Sequence, residues 1–161
     1  MTWVMYSYQR HRDLWPLLGQ WHHSAWGAPG QALSDAQAKF KRRVETPGSF
    51  PLGFIAMDDS NHHNPVPLGT IELKLFEMPQ RPDHRFWVGE VFVTPTARGQ
   101  NVAGFMVQHA ILTARQLNLK TLTLQTDRMD GGLYAREGFK PIGPQWVEAR
   151  QRHVLVMTYD L

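Results

Sequence analysis

Two spacings of apolar residues divide the chain into strands and helices. Strand-like runs, rich in aromatic and β-branched residues, cover Trp3 to Tyr8, Phe50 to Met57, Leu68 to Phe76 and about Phe86 to Val93, where Val91 and Val93 share one face. Leu119 to Thr126 sets Leu122 and Leu124 against threonines and Gln125, and two last strands run from about Lys140 to Val147 and His153 to Asp160. Helical signals follow the first strand. Asp13 is placed to cap a helix carrying Leu14, Trp15, Leu17, Leu18 and Trp21, and Ser34 or Asp35 to cap a second, roughly Ala36 to Glu45. From about Gln100 to Leu117, the residues Val102, Phe105, Met106, Ala110, Ile111, Ala114 and Leu117 keep helical spacing. A short helix through Leu133 and Tyr134 is capped by Asp130 and closed by Gly138.

The order is β-α-α-β-β-β-α-β-α-β-β. It predicts an α/β (α+β) fold: a mixed, mostly antiparallel central sheet of about seven strands flanked by about four helices. The helix between the strands ending at Val93 and starting near Leu119 makes their pairing a parallel crossover. The sequence DDSNHHNPVP has the composition of an exposed hairpin loop. With 161 residues and no repeat, low-complexity tract or linker, residues 1–161 are expected to form a single domain.

One stretch carries chemistry on its own account. In Val91 to Gly104, VFVTPTARGQNVAG, a strand meets a short polar loop that delivers Arg98-Gly99 to the start of the long helix. The first turn of a helix has four backbone N–H groups without internal partners and the positive end of the helix dipole, so it suits a phosphate. The stretch reads as an anion cradle.

Composition narrows the class. Cysteine is absent, which excludes a thiol nucleophile, a Cys-based zinc site and a disulfide framework. The formal charge of +3 comes from scattered Lys and Arg, favourable to a small polyanion but too weak to indicate nucleic acid. The N-terminal MTWVMYSYQRHRDLW lacks the basic and apolar segments of a signal peptide, and no run approaches the ~18 apolar residues of a membrane span. A cytoplasmic location is the expectation. The pairs His22-His23 and His62-His63 are adjacent rather than four apart, so no metal is expected, and GxSxG, HExxH, GxxxxGK[ST] and GxGxxG motifs are lacking.

The element order, V-x-V-x-P-x-x-R-G-x-x-V-A at Val91 to Ala103 and LYAREGF at Leu133 to Phe139 together resemble the GNAT superfamily of acetyl-CoA-dependent N-acetyltransferases. RPDHRFWVGEVFV is further similar to a subgroup that includes peptide N-terminal acetyltransferases. The resemblance implies acetyl-CoA as co-substrate. Its pyrophosphate motif R/Q-x-x-G-x-G/A falls on Arg98, Gly99, Gln100, Asn101, Val102 and Ala103, with Gly104 following. Asn101 replaces the usual first glycine, and asparagine is the side chain that best tolerates left-handed geometry. By the same resemblance Val91, Phe92 and Val93 hold pantetheine and, through a free N–H, the acetyl carbonyl and its oxyanion. Asp127 stands where many relatives carry a pantetheine-contacting asparagine. Tyr134 falls where the family commonly places a tyrosine near the CoA sulfur, as the acid for the departing thiolate or as a packing residue.

The implied reaction is acetyl transfer to a primary amine through a ternary complex. For the general base, Glu90, Glu72 and a solvent-borne water chain stay open, because relatives that use a glutamate on this strand place it at what is Trp87 here. Gly19 to Ser34 and Gly143 to Arg152 are the expected acceptor loops, with Trp21, Trp26 and Trp146 as either pocket or packing residues. Arg150, Arg152 and His153 beside Glu148 do not favour a polycation, so a peptide α-amine or small amino compound is expected. Homodimerisation is allowed; a nucleic acid or membrane partner is not expected. A non-catalytic CoA-binding or sensing module is the alternative on the same fold.

Overall fold

A computed structural model describes residues 1–161. Seven strands form one sheet: β1 (Trp3–Ser7), β2 (Leu52–Asp58), β3 (Val66–Leu75), β4 (Phe86–Val93), β5 (Thr121–Thr126), β6 (Lys140–Val147) and β7 (Arg152–Asp160). Their order across the sheet is β1-β2-β3-β4-β5-β7-β6, and every neighbouring pair is antiparallel except β4 and β5. Four helices flank it: α1 (Trp15–Trp26), α2 (Leu33–Val44), α3 (Val102–Gln116) and α4 (Gly132–Arg136). The mixed sheet with a single parallel crossover agrees with the pattern of the sequence. No helix is long and apolar enough to cross a membrane.

Several boundaries move for identifiable reasons. Asp13 does not cap α1: a 3-10 segment, Tyr8–Leu14, intervenes, and the helix starts beside Pro16, whose fixed φ suits a first turn. Nor do Ser34 and Asp35 cap α2, since Leu33 is already helical and Asp35 sits in the first turn, where its charge meets the positive dipole end. Phe76 has φ 48° and ends β3 one residue earlier than expected. Asp130 does accept the Gly132 N–H at 3.0 Å, next to the start of α4.

Two cores separate the faces of the sheet. On one side α3 buries Val102, Met106, Val107, Ala110, Ile111 and Ala114 against Ile71, Leu73, Val88, Leu122 and Leu124, the inward residues of the central strands. Leu133 and Tyr134 of α4 pack onto this cluster. On the other side α1 and α2 bring Leu18, Phe40 and Val44 to Tyr8, Ile55 and Met57. A third, small cluster of Met78, Trp87, Val154 and Val156 closes the sheet beside β7.

Tyr8 crosses β2 where Gly53 leaves room, and a Cβ at residue 53 would overlap its ring. Gly53→Ala is therefore expected to destabilise the fold by about 1–3 kcal/mol, as overpacking of a filled core does. In a chain of this size that lowers Tm by roughly 2–4 °C per kcal/mol. Thermal unfolding of the variant checks it, and an unchanged Tm would show that the ring can move aside.

Candidate functional site

An extra residue in β4 creates the site. Between the pairs Thr70↔Phe92 and Glu72↔Gly89, β3 advances two residues and β4 three, so Glu90 sits in a bulge with φ 53°. The bulge resets the alternation of side chains. Val88, Val91 and Val93 all pack toward α3, while Phe92 stacks on Trp21 of α1 at 5.2 Å with 27° between the rings. It also coincides with the parting of β4 from β5. Those strands share one register pair, Trp87↔Thr123, although β5 stays paired with β7 from Thr121 to Thr126.

Beyond Trp87 the β4 edge facing β5 thus lacks a strand partner, and a cavity of about 250 Å³ occupies the gap. Val88 to Val91 wall one side and Gln125, Thr126 and Asp127 the other, with Tyr134, Glu77, Trp26 and Arg150 completing it. Tyr134 enters from the α3 face, and Trp26 comes from α1 on the opposite face. The opening passes through the sheet.

A second cavity, about 370 Å³, lies at the end of β4. It is lined by Val93, Arg98, Gly99, Asn101, Val102, Ala103, Leu133 and Arg136, among others. Gly99 (φ 76°) and Asn101 (φ 65°) are both left-handed, so the turn keeps the backbone shape a glycine would provide at residue 101. No side chain caps α3, which leaves its first amides available to an anion. Arg98 Nε donates to the Val93 carbonyl at 3.1 Å and Gln100 Nε2 to that of Thr96 at 3.2 Å, bracing the turn. At Gly104 a side chain would run into Asn101 and Glu137. Leu133 faces this cavity and its neighbour Tyr134 the first, so α4 joins the two.

The electrostatics of the opening are set by buried charges. Burial, then the charge of Glu77, pushes the Tyr134 phenol up to about 12, so it holds its proton at neutral pH. For Glu90 burial works toward a higher pKa. It is outweighed by the His22 hydrogen bond at 2.6 Å and by Lys74 and Lys39 at 3.2 and 3.3 Å, which hold the carboxyl well below the usual range. His22 is itself lowered by burial, against the pull of Glu90, and its Nε2 meets Thr70 Oγ1 at 3.0 Å. Glu72 is fully buried and pushed up to about 7 by burial, even though Arg43 Nη1 lies 2.6 Å from both its oxygens. Asp127 is occupied by Arg152 at 2.9 Å and Arg150 at 3.5 Å.

The chain thus brings Glu90, Val91, Asp127 and Tyr134 together in one cavity and Val93, Arg98, Gly99, Asn101, Val102 and Ala103 in the next. Trp146 is not in the lining of either; its indole N–H donates to Glu148 at 2.7 Å. Sequence reasoning missed His22, Glu77, Lys39, Lys74, Arg43 and Arg136. A signal existed for some of them. His22 falls four residues after Leu18, on the buried stripe of α1, and Lys39 and Arg43 are four apart on the sheet-facing side of α2. Nothing comparable marks Glu77. No group of three or more His, Cys, Asp or Glu is placed to hold a metal ion.

A mixed sheet parted between its two parallel strands, with an uncapped helix start at the end of the gap, is the GNAT-like architecture that the element order implied. Residues 13–139 match the acetyltransferase (GNAT) family, and the chain belongs to it. Solved structures share the fold. Arabidopsis thaliana NAA60 in complex with acetyl-CoA is 14% identical, with 99% of each chain covered and a TM-score of 0.74. A chain of the NatC complex bound to Gag peptide and CoA is 17% identical, covering 100% of this chain and 99% of that one at 0.71. Mutant forms of the spermidine/spermine N-acetyltransferase SpeG from Vibrio cholerae are 16% identical over 99% of this chain and 95% of theirs, at 0.70. No curated protein sequence matches the chain.

Glu72 gives the site a measurable signature. Its carboxyl loses its proton near 4.5 when unfolded and near 7 when folded. Between these values the folded state binds the extra proton, so this contribution to stability is full below pH 4.5 and is lost as pH rises to about 7. Glu72→Gln is expected to gain stability relative to the parent between about pH 5 and pH 8, read by urea unfolding at each pH. A pH-independent difference would remove Glu72 as the source.

Proposed function

We propose that this protein is an N-acetyltransferase that moves an acetyl group from acetyl-CoA directly to a primary amine, either a peptide α-amine or a small amino compound. The observation that carries this reading is the opening between β4 and β5, with an unpaired strand edge along it, Tyr134 within it and an anion-holding turn at its end. An amide-bearing chain such as pantetheine suits the edge at Val91 to Val93, bonding as an added strand does. A diphosphate suits the amides of Gly99 to Gly104, with Arg98 and Arg136 beside the same cavity. Acetyl-CoA supplies the activated acyl group.

In this reading a free N–H on the β4 edge holds the carbonyl oxygen as charge develops on it, and Tyr134 gives its proton to the departing sulfur. Holding both reactants at once supplies much of the rate by proximity. Asp127, bound by two arginines, serves as a wall of the opening. Glu90 is ionised, and both its oxygens are engaged, so it organises His22, Lys39 and Lys74 more readily than it accepts a proton. The arginines that neutralise Asp127 remove one carboxylate that a polycation would seek, which supports a peptide or small-amine acceptor. A CoA-binding or sensing module without activity is the alternative, and the left-handed backbone at Asn101 suits CoA in either reading.

Two measurements test the reading. Calorimetry should detect binding of acetyl-CoA and CoA, and thiol release should appear with some member of a panel of peptides, amino acids, polyamines and aminoglycosides. Binding without turnover on any of them would favour the non-catalytic module. Tyr134→Phe should lower turnover by about 100-fold, a typical contribution of a positioned acid, with acetyl-CoA affinity unchanged. Full turnover in this variant would reassign Tyr134 to packing.

A further inference from the structure

Three carboxylates, Glu72, Glu77 and Glu90, share a charge cluster with Arg43 and Lys74, and they differ in what remains free on them. Glu90 has Oε2 bonded to His22 and Oε1 to Lys39 and Lys74. Glu72 has both oxygens on Arg43. Glu77, just past the end of β3, bonds Lys74 Nζ through Oε1 at 3.3 Å, whereas its Oε2 is buried and has no partner in the protein. A buried carboxylate oxygen without a donor is costly, and it marks a place where a donor is missing.

The position of that oxygen is well defined. Met78, the next residue, is buried with Trp87, Val154 and Val156 and anchors the backbone. The carboxylate lies over β4 where Gly89 has no side chain: a Cβ there would stand 3.1 and 3.3 Å from its two oxygens. Glu77 therefore reaches the β4 backbone at the unpaired edge, one residue before the bulge. It lines the same opening as Tyr134 and Trp26. Lys74 already neutralises part of the local charge through Oε1, so the free oxygen suits one further donor of positive charge, in a cavity that Trp26 and Tyr134 also line.

Resting on the acetyl-transfer reading above, we propose that Glu77 binds the acceptor ammonium through its free oxygen and takes its first proton. Proton transfer to Oε2 leaves the electron pair on nitrogen. That pair forms the C–N bond to the acetyl carbonyl carbon as the C–S bond breaks. Tyr134 gives its phenolic proton to the sulfur, the second N–H proton returns to the phenolate, and Glu77 releases its proton to water. The third proton stays on the amide.

Glu77→Gln keeps the shape and removes the base. The probes are acetyl-CoA with trialanine and with 2-phenylethylamine. The variant should unfold at the same temperature and bind acetyl-CoA as tightly as the parent, while kcat/KM for amine falls about 100-fold near neutral pH. With trialanine the deficit should shrink above about pH 8, where an α-amine loses its proton without help. Glu77→Asp, which keeps the charge but retracts it, should fall between the two and serves if the first variant fails to fold. A deficit equal at every pH, or none at all, would overturn the role of Glu77 and leave the acetyl-transfer reading standing. Parent protein that binds acetyl-CoA but acetylates neither probe would also overturn it. Failure of the parent to bind acetyl-CoA would instead remove the reading on which the assignment rests.

Discussion

The bulge at Glu90 is the constraint from which the site follows. Inserting one residue opposite Ile71 lets Val88 and Val91, three apart, face the same core, and it increases the local twist of β4. Its parallel neighbour β5 pairs with β7 along its whole length without a register shift, so β5 does not follow the bulged strand. The two diverge after one pair. Backbone groups that any ordinary sheet would consume are left along the gap, which is a state a buried strand tolerates only where a ligand or water supplies the partners.

The same bulge forces a carboxylate into the interior, and the helical face is built to receive it. Glu90, Glu72 and Glu77 are answered by His22 from α1, Lys39 and Arg43 from α2 and Lys74 from β3. A buried ion pair contributes little net stability against an apolar replacement, and Lys74 keeps Glu90 as a partner whatever Glu77 does. The network is thus better understood as fixing α1 and α2 relative to β4 than as strengthening the fold. Trp26 reaches the opening from α1, so the geometry of one wall depends on these charges.

Much of the fold was legible because its signals are local. Alternation in β4 and β5, helical spacing in α3 and the turn residues around Arg98-Gly99 each report on their own segment. The turn before α3 was legible for the same reason, with an asparagine at 101 that tolerates the left-handed backbone found there. The acceptor side was not. The bulge interrupts alternation by a single residue, which in sequence looks like an ordinary run of apolar residues around a glutamate. Charge pairing there joins residues 22, 39, 43, 72, 74, 77 and 90, far apart in the chain, and no spacing rule connects them. Asp13 and Ser34 misled for a related reason: each is a good local cap, but a 3-10 segment begins at the buried Tyr8 and α2 is already helical at Leu33.

The field inside the opening has one further property that ties its two faces together. Burial first, and then the negative charge of Glu77, raise the pKa of the Tyr134 phenol, and the same charge favours a cation in the gap. On the proposed role of Glu77, an ammonium that binds beside the carboxylate screens its charge, and the phenol becomes easier to ionise once the acceptor is in place. Binding the nucleophile and acidifying the leaving-group donor are then one electrostatic event. It requires no movement of the backbone, because Met78 and the Gly89 gap fix the carboxylate and α4 fixes the tyrosine.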